Sequence, residues 1–236
     1  LSATGNRKVQ VCFEPLVTGF VRVPYNDLTA GRQVAQHNSN VVAVLVEPIQ
    51  GEGGIRTLDI EYLKQLRTLC DEHNWLLMLD EVQCGIGRTG KWFAHQHAGI
   101  LPDVMTLAKG LGSGMPIGAC LTAGKAVNVF GPGNLGSTFA GNPVACMAGI
   151  TTLDVIEQDK LLAHAESLGR FIQQAFTTQL KGVAGVVEIR GQGLMLGIEL
   201  AKPCGDLVKL ALAKGLLINV TADNVIRLLP PLIMSQ

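Results

Sequence analysis

The first candidate for chemistry is Lys109, which follows the apolar run 104–108 and precedes a glycine-rich segment that ends at Pro116. The run predicts a buried strand, and a lysine at the end of such a strand would be partly removed from water. Desolvation favours the neutral amine, which is the nucleophile that attacks carbonyl groups. We interpret Lys109 as a lysine able to form a Schiff base. The alternative is a structural lysine whose apolar stem lies along the strand and whose ammonium reaches solvent.

The second candidate is Asp80, at the end of another apolar run that begins at Trp75. The carboxyl end of a central parallel strand faces the crevice where open α/β sheets bind ligands. A carboxylate there can hold a protonated ring nitrogen. Pyridoxal phosphate chemistry combines such an acid with a reactive lysine. A turn or helix-cap role for Asp80 is the alternative.

Both residues need a sheet to position them, and the rest of the chain predicts one. Apolar runs alternate with helical patterns, which indicates an α/β fold with a mostly parallel sheet and crossover helices. Leucines 63, 66 and 69 share one face of a predicted helix at 60–73. The predicted strands are 41–46, the run that ends at Asp80, 104–108, 117–122, 186–189, 194–200 and 225–229.

A change of pattern follows Asn142-Pro143, which can begin a helix with a cap and a favoured first residue. The pattern then stays helical, with interruptions, to about residue 180. We place a domain boundary near residue 152. Residues 1–151 would form part of a large domain, and residues 152–236 would form part of a smaller carboxyl-terminal α/β domain.

Five motifs together resemble the successive signatures of the class III aminotransferases, and within them the acetylornithine aminotransferases. They occur in the order of that family across nearly the whole chain. The motifs are Glu47-Pro-Ile-Gln-Gly-Glu52-Gly-Gly, Leu79-Asp80-Glu-Val-Gln83-Cys-Gly-Ile-Gly-Arg88-Thr-Gly90, Ala108-Lys109-Gly, Gly136-Ser-Thr138-Phe-Ala-Gly-Asn142-Pro and Ile226-Arg227-Leu-Leu-Pro-Pro. The resemblance implies a pyridoxal 5'-phosphate enzyme whose large domain, here incomplete, binds the cofactor.

The resemblance also implies roles around the cofactor ring. Lys109 would hold the cofactor covalently and move a proton between substrate and cofactor. Asp80 would pair with the ring nitrogen, and Gln83 would reach the phenolic oxygen. Val82, two residues after Asp80 in an assumed strand and so on the same face, would pack against the ring.

Two further pairs of residues receive roles from the resemblance. Thr138, with Ser137 beside it, would bind the cofactor phosphate from a neighbouring subunit, which makes the site a property of a homodimer. Glu52 would mask Arg227 while the amino donor binds, and Arg227 would then grip a dicarboxylic acceptor. A guanidinium suits a carboxylate because it can donate two parallel hydrogen bonds.

The reaction implied is transfer of the terminal amino group of N-acetylornithine to 2-oxoglutarate. Its products would be N-acetylglutamate semialdehyde and glutamate, a step of arginine biosynthesis. Ornithine, succinylornithine and 4-aminobutyrate aminotransferases share nearly all of these motifs and stay open as alternatives. A non-catalytic remnant with vestigial site residues is a further alternative.

Some parts of the family pattern have no counterpart in this sequence. We find neither the Gly-Thr-Glu-Ala-like turn whose helix amides bind the phosphate, nor the stacking aromatic residue, nor the arginine expected just ahead of Leu1. We therefore expect the chain to be a fragment of a longer polypeptide. On its own it would be a poor catalyst.

Composition excludes several classes of partner. The 19 basic and 19 acidic residues balance and form no basic block, which argues against nucleic acid or an anionic membrane surface. No apolar run approaches the roughly 20 residues of a membrane helix, and no signal peptide is visible. Small metabolites and a cytoplasmic location are expected. The six cysteines form no C-x-x-C pair and are interpreted as reduced core thiols.

Two rival motifs compete with this interpretation. Gly85-Ile-Gly-Arg-Thr-Gly90 matches the G-x-G-x-x-G pattern of nicotinamide dinucleotide domains, but no clear helix follows and no acid lies about 20 residues on. His95 and His97 have a spacing that suggests a metal site, but a third ligand is missing from the sequence nearby. We expect no metal.

Overall fold

The strands within residues 1–235 form two four-stranded sheets and one two-stranded sheet, and helices connect several of these strands. The computed structural model describes residues 1–235, and the counts that follow refer to those residues. Five α-helices are present: α1 (Leu28–His37), α2 (Ile60–Glu72), α3 (Pro143–Gln158), α4 (Leu161–Gln179) and α5 (Asp206–Ala213). Ten strands are present: β1 (Ala43–Val46), β2 (Ile49–Gln50), β3 (Arg56–Thr57), β4 (Leu76–Asp80), β5 (Val104–Leu107), β6 (Ala119–Thr122), β7 (Val186–Gln192), β8 (Met195–Leu200), β9 (Asn219–Thr221) and β10 (Val225–Leu228).

The amino-terminal sheet has the strand order β1-β4-β5-β6. The first three strands are parallel, and β6 is antiparallel to β5 at one edge. Helix α2 crosses between β1 and β4, as a parallel connection requires. The prediction of an α/β fold with a mostly parallel sheet is therefore confirmed.

The contact of α2 with the sheet explains why this part of the chain folds as it does. The predicted leucine face is confirmed, because Leu63, Leu66 and Leu69 are all buried and pack with Leu77 and Leu79 of β4. Asn74 then adopts a left-handed conformation with a φ of 54°, which ends the helix and turns the chain into β4. The packed helix fixes the position of β4 along the strand direction, and it therefore fixes where Asp80 lies at the end of the sheet.

A buried ion pair secures the opposite end of the same strand. Arg67 on α2 donates from Nη1 to Asp103 Oδ2 at 2.7 Å, just before β5. The same carboxylate oxygen accepts the backbone N–H of Leu77 at 2.8 Å. Asp103 therefore joins α2, β4 and the start of β5, and it fixes the relative heights of two neighbouring strands.

We expect Asp103→Ala to lower the free energy of unfolding by about 3 kcal/mol, because it removes the buried partner of Arg67 and leaves the buried backbone N–H of Leu77 without its acceptor. Asp71→Ala is the matched control, since Asp71 pairs with the same Arg67 but its side chain is 61% exposed. Its loss should cost less than about 1 kcal/mol. Urea unfolding of the two variants checks this. Equal losses would show that Asp103 acts as an ordinary surface partner.

The carboxyl-terminal sheet is antiparallel, with the strand order β7-β8-β10-β9. Strands β7 and β8 form a hairpin whose turn contains Gly193 with a φ of 55°. A Cβ atom on Gly169 of α4 would lie 2.1 Å from the carbonyl oxygen of Gly193. This helix therefore packs directly against the hairpin turn.

The two long helices lie between the sheets in sequence. Asn142 accepts the backbone N–H of Ala145 at 3.0 Å, and Pro143 is the first residue of α3, so the predicted helix start is confirmed. The predicted domain boundary after residue 151 falls inside α3. The division into residues 1–151 and 152–236 stays a prediction.

The cysteines only partly follow the expectation of core thiols. Cys70, Cys84 and Cys204 are buried, whereas Cys12 and Cys120 are exposed. The prediction is wrong for the exposed pair, because apolar neighbours in sequence do not bury a residue in a loop or on the edge strand β6. Burial raises the pKa of Cys70 to about 12, so this thiol is a packing residue. None of the helices within residues 1–235 has the length and apolar character needed to cross a membrane.

Candidate active site

The carboxyl ends of β4 and β5 bring the two main candidate residues to one edge of the sheet. Asp80 is the last residue of β4 and lies opposite Thr106 in the parallel pair. Lys109 follows the end of β5 and begins a short 3-10 helix. Residues 29 positions apart in sequence therefore meet at the crevice edge where open α/β sheets bind ligands.

The backbone at Lys109 is unusual, because a non-glycine residue here has a φ of 45°. Such left-handed residues cluster at functional sites, where the surrounding structure holds them in place. The sequence predicted a desolvated lysine, and this detail is wrong for the chain as described, since the Lys109 side chain is exposed. The strand before it is buried, but the chain turns outward at the glycines that follow. Within residues 1–235, Lys109 Nζ makes neither a hydrogen bond nor an ion pair.

Glu47 is a third ionisable residue at this edge, and the sequence interpretation missed its place in the site. It follows β1, the strand next to β4, and its Oε2 accepts the backbone N–H of Gly51 at 3.1 Å. Burial raises the pKa of Glu47; the Gly51 hydrogen bond and the charge of Lys109 oppose the shift, and the charge of Asp80 adds to it. The signal was present, because Glu47 ends an apolar strand as Asp80 does.

The residues after Asp80 form a turn and not a continued strand. Strand β4 ends at Asp80, whose Oδ1 accepts the backbone N–H of Val82 at 3.0 Å. The prediction that Val82 lies on the face of Asp80 by strand alternation is therefore wrong, because the side-chain hydrogen bond bends the chain. Gln83 lies against Gly51, where a Cβ atom would come within 2.1 Å of Gln83 Oε1. Glycine at this position makes room for the Gln83 side chain.

Glu81 holds this turn from beneath. Its carboxylate is buried and accepts the backbone N–H groups of Ala94 and His95 at 2.6 and 2.9 Å. Its Oε1 also lies 2.8 Å from His95 Nδ1. The loop from Val82 to Phe93 is thereby closed at its base, which fixes Asp80 and Gln83. The sequence shows Glu81 beside Asp80, but only the fold reveals that its side chain points inward.

The predicted pair of Glu52 and Arg227 is formed. Arg227 on β10 donates from Nη1 to Glu52 Oε1 at 2.6 Å, and the same nitrogen lies 3.4 Å from Gln83 Oε1. The Arg227 side chain is only 11% exposed, whereas that of Glu52 is 71% exposed. Arg227 Nε is buried without a partner within the described residues. The arginine is thus a largely buried cation with an unpaired Nε, covered by an exposed carboxylate.

Ser137 and Thr138 are the two candidate residues for the cofactor phosphate. Both are exposed in an irregular segment that precedes α3. Among residues 1–235, no hydrogen bond joins either of them to Lys109, Asp80 or Gln83. Their predicted action on the phosphate of a neighbouring subunit stays a prediction.

The whole chain matches one protein family. The family described as Aminotransferase class-III covers residues 1–236. The chain belongs to the class III aminotransferases. An acetylornithine aminotransferase of Nitrosomonas europaea is 58% identical over 236 residues, and the match covers all of this chain but 60% of that protein. The chain therefore spans about three fifths of the length of the curated relatives it matches.

Solved structures of class III aminotransferases share this fold. An ornithine aminotransferase of Toxoplasma gondii superposes with a TM-score of 0.94 at 36% identity, over 99% of this chain and 56% of that one. That protein has pyridoxal phosphate at partial occupancy in its active site. An acetylornithine aminotransferase of Elizabethkingia anophelis gives a TM-score of 0.86 at 39% identity, over 93% of this chain and 59% of that one.

The donor set of this class III aminotransferase chain fits the ring of pyridoxal phosphate. Lys109, a primary amine without a hydrogen-bond partner in residues 1–235, lies at the same sheet edge as a carboxylate, Asp80, and an amide, Gln83. The amine suits an aldehyde and the carboxylate suits a protonated ring nitrogen. The predicted phosphate-binding residues, Ser137 and Thr138, are exposed and make no hydrogen bond to Lys109, Asp80 or Gln83 within residues 1–235.

The residues of the two rival motifs have structural roles in this class III aminotransferase chain. The segment Gly85 to Gly90 forms turns, and the next element is a four-residue 3-10 helix, Ala94–His97, which is too short to present the helix amides of a dinucleotide site. His95 contacts Glu81, and His97 Nε2 lies 3.1 Å from Thr89 Oγ1. Both histidines take part in packing this loop.

Proposed function

We propose that this chain carries the cofactor-ring and acceptor-binding parts of a pyridoxal-phosphate enzyme that transfers the terminal amino group of N-acetylornithine to 2-oxoglutarate. The products would be N-acetylglutamate semialdehyde and glutamate, a step of arginine biosynthesis. The observation that carries the proposal is the pair of Arg227 and Glu52, a buried guanidinium covered by an exposed carboxylate beside the ends of β1 and β4. The name of the relative at 58% identity supports the choice of donor.

The residues divide the chemical work between them. Pyridoxal phosphate, when bound, supplies a ring that withdraws electrons from the substrate carbon. Lys109 Nζ removes the proton from the carbon that bears the amino group of the donor, and it later returns a proton when the acceptor is converted. The Asp80 carboxylate would pair with the ring nitrogen and favour its protonated form. Glu81 and the Asp80–Val82 hydrogen bond hold that carboxylate in place.

Arg227 and Glu52 let one pocket accept two substrates of different charge. With Glu52 in place, the positive charge of Arg227 is neutralised, and a donor without a second carboxylate can bind. When Glu52 moves aside, the guanidinium offers its donors to the distal carboxylate of 2-oxoglutarate. The exposure of Glu52, at 71% of its side chain, gives the carboxylate space to move.

A panel of amino donors tests the choice of substrate. The holoenzyme should use N-acetylornithine with a higher kcat/KM than ornithine, N-succinylornithine or 4-aminobutyrate. Ornithine is the leading competitor, because an ornithine aminotransferase superposes with a TM-score of 0.94. Faster use of ornithine would reassign the donor, and no turnover with any of the four would reject the proposed reaction.

Arg227→Ala should damage the acceptor half-reaction more than the donor half-reaction. The apparent KM for 2-oxoglutarate should rise at least about tenfold, because a charge-assisted contact to its carboxylate is lost. N-Acetylornithine should still convert the cofactor to its amino form. Single-turnover absorbance spectra with each substrate alone measure this.

Arg56→Ala is the matched control for that measurement. Arg56 lies on the same hairpin as Glu52 but is half exposed and contacts Glu199. It should leave both half-reactions unchanged. Equal damage to both half-reactions in Arg227→Ala would contradict the proposed switch.

The assembly belongs to the proposal as well. Ser137 and Thr138 are exposed and make no hydrogen bond to Lys109, Asp80 or Gln83 among the described residues, and we propose a homodimer in which they bind the cofactor phosphate of the other subunit. The balanced charge and the metabolic reaction support small-molecule partners and a cytoplasmic location. Residues 1–151 and 152–236 would be parts of the large and small domains.

A further inference from the structure

Arg190 is a buried arginine that the proposed chemistry does not use. It lies on β7, is 8% exposed, and donates from Nε to the carbonyl oxygens of Gly54 and Ile55 at 3.1 and 3.0 Å. Nη2 donates to the Gly54 carbonyl oxygen at 2.5 Å. A buried guanidinium is costly to desolvate, and here most of its donors grip the backbone of one loop.

Two carboxylates hold the other side of the same guanidinium. Nη1 of Arg190 lies 2.6 Å from Glu188 Oε2 and 2.5 Å from Glu199 Oε2. Arg190 also lowers the pKa of Glu199 by hydrogen bonding to its charged form. The guanidinium is therefore fixed to its own sheet, and the loop of Gly54 and Ile55 is attached to a rigid support.

Arg190 and Arg227 flank the same position of the sheet. Gly197 of the central strand β8 lies opposite Arg190 on one side and opposite Arg227 on the other. Residues directly opposite in neighbouring strands place their side chains on the same face. Both arginines therefore face the hairpin of β2 and β3. One grips its backbone and the other contacts Glu52 at its tip.

Ile55 occupies the space between the two arginines. It is fully buried, and a Cβ atom on Gly197 would lie 3.0 Å from Ile55 Cβ. Its φ is 51°, a left-handed conformation that a β-branched residue adopts only when its surroundings impose it. The missing side chain of Gly197 and the hydrogen bonds from Arg190 impose that conformation. Thr221 adds a hydrogen bond to the carbonyl oxygen of Glu52 at 2.5 Å.

We infer that Arg190 is a positioning residue that sets how firmly Glu52 covers Arg227, and so sets the balance between the two substrates. The inference rests on the proposed function. A loop that is held at residues 54 and 55 presents Glu52 at a fixed distance from Arg227. When the loop loosens, the ion pair of Glu52 and Arg227 weakens and the guanidinium is uncovered more often.

The effect on the two substrates should be opposite in sign. A weaker cover is easier to displace, so the dicarboxylic acceptor gains apparent affinity. The donor meets an uncovered cation more often and loses apparent affinity. General damage to the fold would instead raise the apparent KM of both substrates. Changes of opposite sign in the two KM values therefore indicate a positioning role.

Arg190→Lys in the holoenzyme is the first test. Lysine keeps a positive charge between Glu188 and Glu199 but cannot reproduce the fork that reaches two carbonyl oxygens. The apparent KM for 2-oxoglutarate should fall at least about threefold, and the apparent KM for N-acetylornithine should rise by a similar factor. Gly197→Ala is a second variant with the same expected direction, because the added methyl group presses on Ile55.

Glu188→Gln is the matched control. Glu188 contacts the same guanidinium, but its side chain is 53% exposed, and the less exposed Glu199 still accepts from Nη1 of Arg190 when the charge of Glu188 is lost. This variant should change both constants by less than about twofold. The inference would be overturned if the apparent KM values of both substrates rose together in Arg190→Lys and Gly197→Ala, or if neither KM changed.

Two further measurements make the test independent of the proposed reaction. Phenylglyoxal should modify Arg227 faster in Arg190→Lys than in the wild type, as followed by peptide mass, whether or not the protein turns over substrate. An unchanged modification rate overturns the inference. In a Glu52→Gln background, Arg190→Lys should have no further effect on either constant, and additive effects would also overturn it. Faster modification without any turnover in the wild type would refute the proposed function alone.

Discussion

Replacing Lys109 by alanine is expected to lower the turnover of the holoenzyme at least about 10³-fold, because one side chain supplies both the covalent attachment and the proton transfer. The visible absorbance of the attached cofactor should disappear with the lysine. Borohydride reduction of the wild type followed by peptide mapping should place the cofactor on Lys109.

Lys91→Ala is the matched control for this experiment. Lys91 is also exposed and lies in the neighbouring loop, where its Nζ donates to the carbonyl oxygen of Gln96 at 3.2 Å. It should keep the absorbance and the turnover of the wild type. A reduced cofactor attached to Lys91 or Lys125, or to no lysine, would refute the assignment of Lys109.

Replacing Asp80 by asparagine is expected to lower turnover by about two orders of magnitude or more while the fold stays intact. The amide keeps an oxygen that can accept the backbone N–H of Val82, so the turn survives. The amide lacks the negative charge that keeps the cofactor ring nitrogen protonated. It also lacks the charge-assisted hydrogen bond to that nitrogen, which contributes about 1.5 to 3 kcal/mol. Steady-state kinetics and urea unfolding of the same preparation separate the two properties.

Asp80→Ala separates the turn from the charge. Alanine removes the acceptor for Val82 as well as the charge, so it should lose stability in addition to turnover, by about 1 kcal/mol. Both variants should nevertheless lose similar amounts of activity. Turnover near that of the wild type in Asp80→Asn would show that the carboxylate does not serve the cofactor ring.

The elements that carry the site follow from local patterns in the sequence. Leucines three residues apart predict the buried face of α2, and apolar runs that end in a charged residue predict β4 and β5 with Asp80 and Lys109 at their ends. These patterns are reliable because burial on one face depends only on the period of the element. The family resemblance added the pair of Glu52 and Arg227, which lie 175 residues apart.

What the sequence did not predict depends on contacts between distant segments or on local backbone geometry. Strand alternation places Val82 on the face of Asp80, but the hydrogen bond from its own N–H to Asp80 forms a turn instead. Arginine is usually a surface residue, and Arg190 is buried only because β7 pairs with β8. The buried strand before Lys109 predicts a desolvated amine, but the Lys109 side chain is exposed. Its exposure depends on the path of the backbone after β5, and no periodic pattern in the sequence describes that path.

The placement of Asp80 and Lys109 on neighbouring parallel strands has a consequence for how the protein acquires its site. Parallel strands cannot be joined by a tight turn, so β4 and β5 pair only after the 23 residues between Asp80 and Val104 have been closed into a loop. Contacts across such separations form slowly, because the loss of chain entropy precedes the gain from pairing. A partly folded chain with α2 in place therefore has a helix and a strand but not the lysine and carboxylate together. We therefore expect the lysine and the carboxylate to come together late in folding.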